Sequence, residues 1–154
     1  MNLEPDITIF VGANSALNYG FMYDVSCELR HSIFSTTLIS VDEDDLRVDA
    51  VLIDKNKHQA AIFYCPDAFI HPHLFPKLFE ILKIVSLNKQ VVLATYNPIF
   101  LNYFESRMVR VVKRVKGILT INSIEQTAHF LAAMGGLGEL WYTNHFGGNP
   151  FRSK

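Results

Sequence analysis

The segment "ITIFVGANSALNYG" (residues 7–20) passes from an apolar run, interrupted only by Thr8, into a loop opened by Gly12. A short continuous apolar run is what a strand buried on both faces requires, and such strands belong to parallel sheets covered by helices. Residues 7–11 therefore read as a buried strand. The overlapping "LNYGFMYDVSCELRHS" carries Phe21, Met22, Val25 and Leu29 near helical spacing, so a strand, a loop and a helix follow one another.

The same alternation continues outward. "TTLISV" (36–41) is β-rich, and "DEDD" (42–45) opens "LRVDAVLIDKNK", where Leu46, Ala50 and Ile53, with Val51, make a helical stripe. Four early carboxylates complement the positive end of a helix dipole, so a helix is expected there. "AAIFY" (60–64) and "QVVLAT" (90–95) are further apolar strands. Between them, "HPHLFPKLFEILKIVSLNK" sets Leu74, Leu78, Ile81, Leu82 and Val85 on one helical face. A short helix is expected around "PIFLNYFES", and "MVRVVKR" and "ILTINS" flank a Lys-Gly turn as a hairpin. "SIEQTAHFLAAM" starts with a Ser-x-x-Gln capping box, and the tail "GGLGELWYTNHFGGNP" is rich in glycine and aromatics. The fold class expected is α/β: a mainly parallel sheet with helices on both faces, completed by a C-terminal β-hairpin plus helix.

At 154 residues the chain has the length of one domain, and 49% hydrophobic residues with a net charge of -1 describe a folded protein that no charge excess draws to nucleic acid. Cys27 and Cys65 are too few for a disulfide framework, and "MNLEPD" has no basic, apolar leader. A reduced, cytoplasmic protein with no membrane association is expected.

The loop after residue 11 lies where a phosphate-binding P-loop sits, between a strand and a helix. Counting from Gly12 places Leu17, Asn18 and Tyr19 at the second glycine, the lysine and the hydroxyl of that motif. Later segments supply company. "AIFYCPDAFIHPHLFPKLFEIL" resembles the Walker B region of ABC-type ATPases of the RecF, SMC and predicted "AAA-like" kind, keeping Pro66, Asp67, His71 and Pro72 of its pattern. "QVVLATYNPIFLNYF" is similar to their switch-histidine segment, with Thr95 and Pro98 matching and Tyr96 standing where the histidine would be. "DEDDLRVDAVLI" falls where their signature helix precedes Walker B, and Leu46 and Arg47 match it. "LGELWYTNHFGG" resembles the C-terminal Gly-Glu-Leu-Trp segment of predicted ATPases of prokaryotic defence operons. The four matches occur in the correct order over nearly the whole chain.

The resemblance implies a P-loop NTPase-like domain spanning residues 1–154, without a coiled-coil or lid insertion, and it implies decay. Phosphoryl transfer in P-loop enzymes needs a lysine on the phosphates, a hydroxyl on Mg²⁺ and a carboxylate holding that metal. Here Asn18, Tyr19 and Tyr64 stand at those places, Cys65 replaces the carboxylate that orients water, and Leu17 carries a Cβ where amides must curl around phosphate. Gly12 and Asn14 are what is left for weak phosphate contacts. The signature position, with Asp42, Glu43, Asp44 and Asp45, reads either as a surface that repels nucleotide or as a solvated helix start. No catalytic residue and no cofactor are assigned. The implied role is that of a pseudo-ATPase, a regulatory or structural partner of an active ABC-type ATPase, of itself or of an effector complex in defence or DNA repair. The alternatives are a weak ATPase with substituted motifs and a nucleic-acid-binding module.

Other groupings are weighed beside this. His71 and His73 lack two further well-spaced ligands, so no metal is assigned, and Cys65 reads as an inert core thiol rather than the partner of a catalytic histidine. Arg107, Arg110, Lys113, Arg114 and Lys116 form the strongest basic cluster, which reads as a contact for phosphate backbones or an acidic partner, or as a charged β edge that discourages pairing. Trp141 and Tyr142 read as a core lid or as interface anchors.

Overall fold

The computed structural model describes residues 6–13, 15–29, 32–35, 39–42, 45–48, 59–124 and 135–147, with backbone alone between 32 and 48. The strand expected from "ITIFV" is β1, Ile7–Gly12, buried along its whole length. Four strands run parallel with it in one sheet: β2 (Ser32–Ser35), β5 (Ala60–Tyr64), β6 (Gln90–Ala94) and β7 (Val109–Val115). A sixth, β8 (Ile118–Ser123), is antiparallel to β7, and the order is β2-β5-β6-β1-β7-β8. Ile9 lies opposite Leu93 on one side and Val109 on the other, so β1 is central and its apolar residues on both faces need cover.

Helices supply that cover on both faces. Helix α1 (Tyr19–Glu28) lays Phe21, Met22 and Val25 on Phe10, Ile62, Val92 and Val112. On the opposite face, α2 (Phe75–Ser86), α3 (Pro98–Leu101) and α4 (Leu137–Tyr142) pack against Ile9, Val11, Phe63, Leu93 and Val111. The rings of Phe75 and Phe104 each stand 5.1 Å from that of Phe100, within the range of favourable aromatic contact. Helix α2 begins after a 3-10 turn at Pro72–Leu74, as proline at the first turn allows.

Two glycines are required by close packing. A Cβ on Gly12 would lie 2.3 Å from the carbonyl oxygen of Val112. On Gly138 it would lie 1.9 Å from that of Pro98, so α4 meets α3 backbone to backbone, and Asn102 Oδ1 accepts from the Gly138 amide at 2.7 Å.

Two expectations need correction. The first helix, read through Ser32, ends at Glu28: Leu29 is already extended, and Ser32 opens a strand, Ser32–Ser35. The β reading of "TTLISV" holds over 39–41, where β3 (Ile39–Asp42) pairs antiparallel with β4 (Asp45–Val48) in a sheet separate from the main one. The helix expected to open at "DEDD" is therefore not formed there, because Asp42 and Asp45 belong to facing strands and Leu46 and Arg47 to a strand as well. Ile39 and Val41, then Leu46 and Val48, follow the two-residue period of strands, which overrides a charge argument worth at most about 1 kcal/mol at an exposed helix end. Glu43, Asp44, the rest of the expected stripe at 49–58 and the capping-box segment at 125–134 lie outside the described residues.

The hairpin formed as expected, turning at Lys116 and Gly117. No helix among the described residues is long and apolar enough to cross a membrane.

Candidate functional site

The chain leaves β1 through α1 toward β2 on one side of the sheet, and leaves β6 through α3 toward β7 on the other. β1 and β6 are neighbours, so their exits diverge on opposite faces and leave a crevice at their C-terminal ends. In open α/β sheets this switch point is where ligands bind. The loops after Gly12 and after Ala94 meet there, and Tyr64 ends the strand on the far side of β6.

Side chains and main chain of the protein itself occupy the crevice. Leu17 is fully buried in the cluster formed by Phe10, Met22 and Val112 and fastens its loop to the sheet. The amides of Ala16 and Leu17 both donate to the Ala13 carbonyl, at 2.8 and 2.7 Å, so donors that a phosphate would need are already engaged. Asn18 is the N-cap of α1, its Oδ1 accepting from the Phe21 amide at 3.0 Å. Asn14 lies outside the described residues.

Above this loop stand three tyrosines. Tyr96 donates its hydroxyl to the Leu17 carbonyl and lies 3.2 Å, oxygen to oxygen, from the hydroxyl of Tyr64. The Tyr64 ring meets that of Tyr19 edge-on at 5.9 Å and that of Tyr96 at 6.4 Å. Burial, the Tyr64 hydrogen bond and the neighbouring Tyr64 and Cys65 all hold the Tyr96 phenol in its neutral form by raising its pKa. Leu17, Tyr19, Tyr64 and Tyr96 therefore gather in one place.

Asp67 departs from that gathering. Its buried carboxylate accepts from Thr95 Oγ1 at 2.9 Å, and Thr95 Oγ1 in turn accepts from the Asn97 amide at 3.1 Å. Burial raises its pKa to about 6, with the Thr95 hydrogen bond and its own amide pulling the other way. No spacing in the sequence marks Thr95 and Asn97 as a polar pair, although Asn97 before Pro98 is a readable helix start: its Oδ1 caps α3 through Ile99 and Phe100. An open depression of about 510 Å³ lies over this network, lined by Cys65, Asp67, Tyr96 and Pro98 among others.

Cys65 holds a left-handed backbone, φ 48°, uncommon for a residue with a Cβ, and burial with the Asp67 charge pushes its thiol up to about 12. That is opposite to the lowered pKa of a nucleophilic cysteine. His71 and His73 are exposed with their Nδ1 atoms 2.6 Å apart, and no cluster of three or more His, Cys, Asp or Glu side chains forms among the described residues.

The basic cluster is largely committed within the chain. Arg107 bridges Asp6 and Glu105 at 2.7 and 2.6 Å, and Arg110 donates to the carbonyls of Arg107 and Val109. Arg114 donates to Ser15 and Gly117 carbonyls, each at 3.1 Å, and so ties the hairpin to the loop after β1. Lys116 is exposed at the turn and Lys113 half-buried beside Gly147. Trp141 is 2% exposed and packs in the core, which removes it as an interface anchor, whereas Tyr142 is 56% exposed. No family model matches the chain, and no curated protein matches it either.

Proposed function

We propose that the chain is a pseudo-ATPase: a P-loop-type α/β domain, similar to ABC-type ATPases of the RecF and SMC kind, that keeps the scaffold and has lost nucleotide hydrolysis. The observation that carries this reading is the bond from Tyr96 to the Leu17 carbonyl, which joins the two loops across the crevice where a nucleotide phosphate would have to enter. The strand order supports it, because the crevice lies at the switch point between β1 and β6 and the Walker B-like strand comes next. The chemistry supports it too. Asn18, Tyr64 and the raised-pKa thiol of Cys65 stand where catalysis needs a lysine, a metal-holding carboxylate and a base.

Such a domain works by binding. Its role is that of a regulatory or structural partner in a protein complex, with an active ABC-type ATPase or a defence-type effector as the partner class. Titration calorimetry with Mg-ATP is the test: no heat at millimolar nucleotide and no phosphate release above background are expected. Turnover by the unmodified chain would overturn the reading, and binding without turnover would replace it with a nucleotide-sensing one.

A further inference from the structure

Among the described residues, strand β8 closes one edge of the sheet and pairs with β7 alone in it. Its sequence, ILTINS, contains no charge, proline or glycine, and so lacks the features by which free edges usually avoid pairing. The charges expected to guard the hairpin all sit on β7, its preceding turn or the connection at Lys116.

The turn determines which backbone groups face outward. Lys116 and Gly117 have φ of 50° and 82°, the signature of a two-residue type I′ connection, so Val115 and Ile118 close the hairpin as a hydrogen-bonded pair. Alternation then directs the amide and carbonyl of Ile118, Thr120 and Asn122 toward β7, and those of Leu119, Ile121 and Ser123 outward. Leu119 and Ile121, each 36% exposed, share the α1 face and line a mainly apolar groove of about 220 Å³ with Phe21, Val25 and Leu29, the exposed carboxylates of Asp24 and Glu28 standing on its α1 side.

We propose that the β8 edge docks a second copy of this chain, antiparallel, about a two-fold axis at Thr120. In that register Leu119 of each copy lies opposite Ile121 of the other, and these are the residues whose outward groups can exchange hydrogen bonds. Thr120 meets its own counterpart in a non-hydrogen-bonded pair, a favourable cross-strand match. A shift of the pairing sum by one residue sets outward groups against inward ones and loses the bonds. Centring instead on Ile121 keeps the bonds but sets Leu119 opposite Ser123. Self-pairing thus suits this strand: it is uncharged, its aliphatic residues match in an isologous register, and the two α1–β8 grooves become one. β8 contributes no residue to the tyrosine-filled crevice, so the pairing stands or falls separately from the pseudo-ATPase reading.

A single strand pair sits at the small end of specific interfaces, so association in the micromolar range is expected. Sedimentation over a concentration series should move from the 17.5 kDa chain mass toward twice that value. Leu119→Lys should weaken the association at least about tenfold with the far-UV spectrum of the folded chain unchanged, as charge on an edge does. In a Cys27→Ser background, Thr120→Cys should give a disulfide-linked pair of chains on mild oxidation, because Cα atoms of a non-hydrogen-bonded pair lie about 4.5 Å apart, while Asn122→Cys should not. Monomer mass at every concentration overturns the proposal. So does a dimer that neither responds to Leu119→Lys nor cross-links at position 120. Protection of the Leu119 and Ile121 amides in a monomer also overturns it, showing the edge covered from within the chain.

Discussion

The hydroxyl of Tyr96 donates to the main-chain carbonyl of Leu17, linking loops 79 residues apart in sequence across the C-terminal ends of β6 and β1. Tyr96 also contacts Tyr64 and packs against both core clusters, so one side chain couples the two faces of the sheet.

Tyr96→Phe keeps the ring and removes both hydroxyl contacts. It should destabilise the fold by about 1–2 kcal/mol, the scale for a part-buried hydrogen bond whose acceptor is left behind. Urea unfolding of the two proteins checks this, with equal slopes showing that the change is local. Affinity for Mg-ATP should not appear in the variant, since the Ala13 carbonyl still holds the loop amides.

Asp67 sets a pH dependence. Its folded pKa, about 6, lies above the ordinary 3.8, so the protonated form suits the fold better. The stability it contributes is complete below the unfolded value and is lost as pH rises through the folded one. A difference of about two units amounts to about 3 kcal/mol at most. Urea midpoints across this window should fall for the native chain and fall less for Asp67→Asn. Thr95→Val should push the Asp67 pKa higher still, since the hydroxyl now favours the carboxylate.

Gly138→Ala should undock the tail. The added methyl would collide with the Pro98 carbonyl rather than with a flexible side chain, so α4 must shift, at an expected cost of about 2–3 kcal/mol. Trp141 is the single tryptophan, and a red shift of its emission at temperatures where the far-UV signal is still native would report the loss. Trp141→Ala itself should cost about 3–5 kcal/mol by leaving a cavity, and any partner binding should fall only in step with that instability.

Duplex DNA should bind weakly and with a shallow salt dependence. Arg107, Arg110 and Arg114 would each have to give up contacts within the chain before meeting a phosphate. A steep slope in a fluorescence-anisotropy titration, of several released counterions, would instead favour the nucleic-acid-binding reading.

Where hydrophobic burial alone determined an element, the sequence was readable. "AAIFY" and "QVVLA" are strands because nothing polar interrupts them, and Lys116-Gly117 marks the hairpin because glycine permits a positive φ. At "DEDDL", charge and periodicity disagreed. Ile39, Val41, Leu46 and Val48 alternate as strands do, while the four carboxylates between them point to a helix start. The short Ser32–Ser35 strand had no such pattern, since its place at the edge of the sheet comes from pairing with Ala60–Phe63, a long-range fact. The gathering of Tyr19, Tyr64 and Tyr96 depends on strand order in the same way. The Trp141 burial was open between two readings because packing on α3 depends on Gly138, which sequence alone gives no reason to place against Pro98.

On the proposed pseudo-ATPase reading, the lack of room for a Cβ between Gly12 and the Val112 carbonyl bears on how a short motif could outlast its chemistry. A side chain at position 12 is barred by the neighbouring strand whether or not a phosphate ever enters, whereas nothing in the sheet demands lysine at position 18 or a small hydroxyl at position 19. Mutational drift in such a domain is therefore uneven: the residue that the sheet needs stays fixed while those that only a ligand needs are free to change. A surviving glycine at the end of such a strand is then a record of architecture, and evidence for a nucleotide must come from the residues the architecture does not protect.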